Sequence, residues 1–169
     1  KIYRSFRKRD SDSYEAMVYP ITSSGIKIPK YPQSAATELS LIELQRSIQL
    51  LINSIISIQD QLPSARTYTF LYLPSVASSY HFDDVIRVQS YKGNAYHETS
   101  GLINANRSLK IRKNIQSYIF NLHWLFCDTT QNILNLSEAG VAVHGPTDWK
   151  HFNKKGYNVV AQALSKCLN

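Results

Sequence analysis

The chain of 169 residues (19.3 kDa) is 43% hydrophobic and 11% aromatic, with 19 Lys+Arg against 12 Asp+Glu and a formal charge of +7. That length favours one domain, and the apolar content supports a packed core and excludes wholesale disorder. Two cysteines are too few for a disulfide scaffold, and there is no run of about 18 apolar residues to span a membrane.

The first residue is Lys1, and no charged start with an apolar stretch and small-residue cleavage site follows it. A processed, engineered or partial chain is expected, and its compartment stays open. Lys1, Arg4, Arg7, Lys8 and Arg9 carry five of the net charges in one short run. Nucleic-acid binding calls for charge spread along a face or groove. The run reads instead as a solvated helix end or tail, and no nucleic-acid partner is expected.

Residues 10–37 are rich in Ser, Asp, Tyr and Thr, with Pro20, Gly25, Pro29 and Pro32 as helix breakers. Residues 1–37 are therefore expected to form a basic run and an irregular insert. A strong helix follows, with Leu41, Leu44, Ile48, Leu51, Ile55, Ile58 and Leu62 at spacings of three and four. Ile42, Ile52 and Ile56 widen the stripe, which suits packing on a sheet. Thr37 or Ser40 would cap its start and Pro63 would help end it.

Residues 67–73 read as a buried strand closed by Pro74, and 75–102 as a long loop. Residues 104–122 look helical, and His123–Cys127 reads as a short buried strand ending at Asp128. A short helix is expected over 130–139, stopped by Gly140. The loop 144–152 leads into a last helix with Tyr157, Val160, Ala161, Leu164 and Leu168 on one face. Helices and strands in this order predict an α/β chain with parallel crossovers. Loops at the carboxyl ends of such strands, here 74–81 and 128–131, hold ligands and chemistry.

The most informative stretch runs from His144 to Tyr157. An Asp three residues before a His can accept from one imidazole nitrogen and fix the tautomer, freeing the other nitrogen to take a proton from a hydroxyl. Asp148 and His151 have that spacing, and Asn153 and Gly156 suit a tight turn into the last helix.

The pattern Asp148-x-x-His151-x-Asn153-x-x-Gly156-Tyr157, followed by Val159-Val160-Ala161-x-x-Leu164, resembles the last sequence block of the SGNH (GDSL-type) hydrolases. Tyr72-Leu73-Pro74-Ser75, with Ser79-Tyr80 after it, and Phe126-Cys127-Asp128-Thr129-Thr130 extend the resemblance over residues 38–169. It implies a three-layer α/β/α, flavodoxin-like fold with a parallel sheet, incomplete at the amino-terminal side. It also implies that His151 is a general base oriented by Asp148, in an esterase that needs no metal and no organic cofactor. The substrate class would be an ester, carbohydrate O-acyl groups included. Ser75, Ser79, Tyr80 and His81 would border the cleft.

The family's Gly-Asp-Ser nucleophile motif and its Gly-x-Asn-Asp oxyanion segment are both missing from this chain. Asp10-Ser11-Asp12-Ser13 has no preceding apolar strand, and Gly93-Asn94 has no following Asp. The nucleophilic serine is therefore expected upstream or on another chain, and these 169 residues alone are expected to be inactive. Two alternatives use the same residues: an O-acyltransferase with the same dyad, and a degenerate domain that binds carbohydrate or protein without catalysis.

His144, Asp148 and His151 also suit zinc by ligand type, but no Cys or second close His pair completes such a site. His81, His97 and His123 read as structural or exposed. Cys127 and Cys167 fit no metal or redox spacing and read as two free thiols, consistent with a reducing compartment. Asn106-Arg107-Ser108 and Asn135-Leu136-Ser137 match glycosylation acceptors but fall in expected helices.

Overall fold

The computed structural model describes residues 20–28, 31–62 and 67–169. The basic run at 1–9, the Asp10–Ser13 segment, Pro29 and Pro63 lie outside the described residues. Residues 20–28 form a narrow excursion closed by an Ile21–Lys27 bridge, with Gly25 at φ +81° in its turn. Ile28 ends it in the core, 1% exposed.

Helix α1 is Leu41–Gln61. Ser40 caps it, its hydroxyl accepting from the Glu43 N–H while the Glu43 carboxylate accepts from the Ser40 N–H. Leu44, Ile48, Ile52 and Ile55 are buried against Ile115, Ile119, Trp124 and Phe126. Leu41, Ile42, Ile58 and Leu62, expected on the packed face, stay more than half or about half exposed. The covered stripe is narrower than the sequence suggests because the sheet beside it has two described strands. Strands lie about 5 Å apart, whereas a helix with side chains is about 10 Å across.

Strand β1 is Thr69–Tyr72. Strand β4, Leu125–Asp128, pairs with it in parallel, with Phe70 opposite Phe126 and Tyr72 opposite Asp128. Phe70, Tyr72 and Phe126 face the α1 side, while Leu71 packs against a second core that includes Val76, Ala77, Ile133, Val143 and Val160, as the two-residue period of a strand requires. The expected α/β character with parallel strands is present. Both strands are shorter than the residue types alone suggest.

The expected long loop at 75–102 is instead structured. A single 3-10 turn at Val76–Ser79 leads to an antiparallel hairpin of β2 (Val85–Gln89) and β3 (Tyr96–Ser100). Its cause is visible in Val85-Ile86-Arg87-Val88-Gln89, where Ile86 and Val88 are buried and their neighbours exposed. Gly93, at φ +87°, lies in the connection between the two strands.

Helix α2, Gly101–Asn121, starts at Ser100, whose hydroxyl accepts from the Ile103 N–H. Gly101 is required there, since a Cβ would lie 2.0 Å from the Phe82 carbonyl oxygen. Asn104, 2% exposed, ties three segments together. Its amide accepts from the Ala35 N–H and donates to the Ala77 carbonyl.

Helix α3 is Thr130–Glu138 and is followed by Gly140 at φ +79°. Helix α4 is Lys154–Leu168. Its covered side runs through Gly156 and Val160, with Val159, Leu164 and Cys167 partly covered. Tyr157, Ala161 and Leu168, expected on the buried face, are exposed, and Tyr157 meets Phe152 edge-on, because the covered side is turned one residue toward Gly156.

Cys127 and Cys167 are joined in a disulfide with Cα atoms 5.8 Å apart, so the two expected free thiols are not free. Cys127 points away from the α1 face of β4, and the last turn of α4 crosses there. With a sequence separation of 40, the cross-link removes about 4 kcal/mol of unfolded-chain entropy in the loop-closure account. The link to a reducing compartment therefore falls. No helix among the described residues is long and apolar enough to cross a membrane.

Candidate active site

The 144–152 loop owes its shape to Asn153, Gly156 and Gly145. Asn153 caps α4, its carbonyl accepting from the Lys155 and Gly156 N–H groups, while its amide donates to the Ala142 and His144 carbonyls. Gly156 lets α4 sit against the incoming chain, because a Cβ there would lie 2.4 Å from the Val143 carbonyl oxygen. Gly145, at φ +69°, lies under the Trp149 indole, which a Cβ would meet at 2.4 Å. The Gly145 N–H closes the loop on the Asp148 carbonyl at 3.1 Å.

This loop presents the expected pair. The Asp148 Oδ2 accepts from His151 Nδ1 at 2.5 Å, and its Oδ1 accepts from the Lys150 N–H at 2.8 Å. With Nδ1 as donor, the neutral imidazole carries its lone pair on Nε2. The two side chains are 68% and 54% exposed for His151 and Asp148, so Nε2 is open to a reacting group. The His151 hydrogen bond, followed by the Lys150 N–H, holds the Asp148 carboxyl below its ordinary value. The dyad therefore has a charged carboxylate, a defined tautomer and an accessible proton acceptor.

His144 is a different kind of residue. It is 3% exposed, and its ring stacks on Phe152 at 4.5 Å between centroids. The Tyr80 hydroxyl oxygen accepts from the Val143 and His144 N–H groups, at 3.1 and 3.2 Å. Both its lone pairs are engaged, so its own proton goes to His144 Nδ1 at 3.1 Å. Burial pushes the His144 imidazole down to about 4, and the Tyr80 donor requires the same neutral form. Among the described residues no three His, Cys, Asp or Glu side chains gather as a metal-ligand set. His144 in particular faces Tyr80.

Of the four residues expected to border the cleft, Tyr80 reaches the loop through this bond. Ser75 Oγ pairs with Ser78 Oγ at 2.8 Å, and buried Ser79 donates to the Ser75 carbonyl. His81 is exposed and meets Glu138 at 2.9 Å. None of the four hydrogen-bonds to Asp148 or His151.

A groove of about 310 Å³ lies beside Asp148, between the 147–150 loop and residues 31–33, with Val76 and Gln89 also lining it. No local spacing in the sequence announces it, because its walls lie more than a hundred residues apart along the chain. A hydroxyl–imidazole–carboxylate set elsewhere joins Thr37 Oγ1 to His97 Nε2 at 2.6 Å, with Glu38 at 3.6 Å from His97 Nδ1. Glu38 also accepts from the Ser90 hydroxyl and the Tyr91 N–H. It fastens the 31–40 segment to the hairpin. No known protein family, curated protein or solved structure matches this chain.

Proposed function

We propose that Asp148 and His151 are the carboxylate and base of an SGNH-type serine hydrolase acting on ester bonds, in a flavodoxin-like α/β/α domain. The observation that carries this reading is the 2.5 Å Asp148–His151 hydrogen bond with Nε2 left accessible. The Asn153–Gly156 geometry that presents it comes from the same sequence block that bears the family resemblance.

In this chemistry Nε2 takes the proton of a serine hydroxyl as its oxygen attacks the ester carbonyl, and Asp148 stabilises the imidazolium. His151 then returns that proton to the leaving alkoxide, giving an acyl-serine. Water, deprotonated by the same nitrogen, releases the acid and restores the serine. A sugar hydroxyl in place of water makes the reaction an acyl transfer. No metal or organic cofactor takes part in these steps. The serine and the oxyanion donors come from outside the motifs of this chain, on an upstream segment or another chain.

The absence of a Gly-Asp-Ser motif equally motivates a binding-only reading, and kinetics separate the two. In the native protein, His151→Ala is expected to lower p-nitrophenyl acetate turnover by about 10²–10⁴. Asp148→Asn is expected to lower kcat more than it changes KM, and the 169-residue chain alone to show no turnover. Turnover unchanged in His151→Ala would overturn the hydrolase reading. Turnover by the isolated chain, abolished by that substitution, would overturn the external serine.

A further inference from the structure

We propose that Tyr80 is a positioning residue for the Asp148–His151 pair. Its hydroxyl anchors the loop that carries the pair to the segment after β1, and so sets where His151 Nε2 meets the external serine. The inference rests on the hydrolase reading for its effect on rate, and on the hydrogen bonds alone for the anchor.

The loop is braced from within. A His144–Phe152 bridge closes its root, and the Asn153 N–H donates to the Val143 carbonyl at 2.9 Å. The Asn153 amide and the Gly145–Asp148 closure complete the frame. All these bonds join residues between 142 and 157. Among the described residues, the hydrogen bonds that tie residues 142–153 to a distant part of the chain all end on one atom, the Tyr80 hydroxyl oxygen. They cross 63 and 64 residues of sequence.

That atom is a fixed point. Tyr80 is 4% exposed and lies in the core that holds Phe82, Ile133, Val143 and Val160. The segment before it is held in turn. The Ala77 N–H donates to the Gln33 carbonyl at 2.8 Å, and the Ser79 hydroxyl to the Ser75 carbonyl at 3.0 Å. Burial raises the Tyr80 phenol above its ordinary value, so it stays protonated and keeps its bond to His144 Nδ1. A phenylalanine ring fills the same space but leaves the Val143 and His144 N–H groups without an acceptor.

The consequence for rate follows from geometry. A base must lie within hydrogen-bonding reach of the hydroxyl it deprotonates, and a misplacement of about 1 Å costs on the order of 10² in rate. The Asp148–His151 bond spans three residues inside the loop, so it survives when the loop shifts as a unit. Loss of the anchor therefore slows the reaction while the dyad itself stays formed.

The test compares Tyr80→Phe with the wild type, both in the native protein. In hydrogen exchange, the Val143 and His144 amides are expected to lose protection by roughly tenfold or more, while Asn153 and Gly156 keep theirs. With p-nitrophenyl acetate, kcat is expected to fall by roughly 10- to 100-fold and KM to change by less than about threefold. The Nδ1–H tautomer of His151, read from its imidazole ¹⁵N shifts, is expected to persist. Cys127→Ser/Cys167→Ser loosens the opposite end of α4. It controls for lost stability and is expected to keep kcat within about twofold while folded. If Tyr80→Phe does not fold, His144→Leu removes one of the three bonds and is expected to lower kcat with the same small change in KM. Unchanged protection at Val143 and His144 overturns the anchor. Wild-type kcat despite lost protection, or in a folded His144→Leu, overturns the positioning role and leaves the dyad. So does an equal loss of kcat in the cysteine variant, or a lost His151 tautomer. A wild-type protein without ester turnover removes the hydrolase reading, and the exchange pattern still decides the anchor.

Discussion

Stability should fall on mild acidification because of one buried imidazole. His144 is neutral in the folded chain down to about 4, against an ordinary value of 6.5. Between these values the unfolded chain binds a proton that the folded chain refuses, so stability rises with pH across that window. The contribution is constant above 6.5, declines as pH falls toward 4, and levels off below it. The gap corresponds to about 3 kcal/mol, a sizeable share of the 5–15 kcal/mol typical of a domain (an order-of-magnitude range). The cause is structural: protonating Nδ1 sets it against the Tyr80 proton, whose oxygen has no lone pair left to offer. Urea unfolding at several pH values from 7.5 to 4, for the wild type and for His144→Gln, isolates the effect. Every other titrating group is common to both proteins. The stability difference between the two should narrow by about 3 kcal/mol as the pH drops from 7 to 4. Parallel pH curves would refute the buried neutral imidazole and the hydrogen-bond assignment built on it.

Two further outcomes follow from packing. Gly156→Ala forces a Cβ to 2.4 Å from the Val143 carbonyl oxygen, a backbone atom with little room to yield. Thermal unfolding should show a loss of about 1–3 kcal/mol, in the range of overpacked sites, and the Asp148–His151 loop should be displaced with it. The double variant Cys127→Ser/Cys167→Ser should lose about 4 kcal/mol in denaturant unfolding, because the cross-link spans a separation of 40 residues. Wild-type stability in either variant would contradict the contact concerned.

What the sequence disclosed was local. Ser40 and Glu43 lie three residues apart, and their reciprocal hydrogen bonds form within one turn, so the start of α1 was legible. Asn153 and Gly156 work at the same range, which is why the entry to α4 and the Asp148–His151 spacing were legible too. Contacts between distant partners leave no such local signal. Tyr80 and His144 are 64 residues apart, and the cysteines 40, with no spacing rule to join them. The hairpin is faint in the sequence for another reason. Ile86 and Val88 are only two buried positions in a five-residue strand, too short an alternation to stand out among Ser, Tyr and Gly. The breadth of the α1 stripe overstated its burial, because apolar periodicity reports which side turns inward and not how much lies there to cover it.

The most direct test of the central claim is fluorophosphonate labelling of the native protein, followed by mapping of the modified peptide. A serine activated by the Asp148–His151 pair should carry the adduct, lie outside residues 1–169, and lose its labelling in His151→Ala. An adduct on a serine within these residues would contradict the external nucleophile, and labelling unchanged in His151→Ala would contradict the role of the dyad itself.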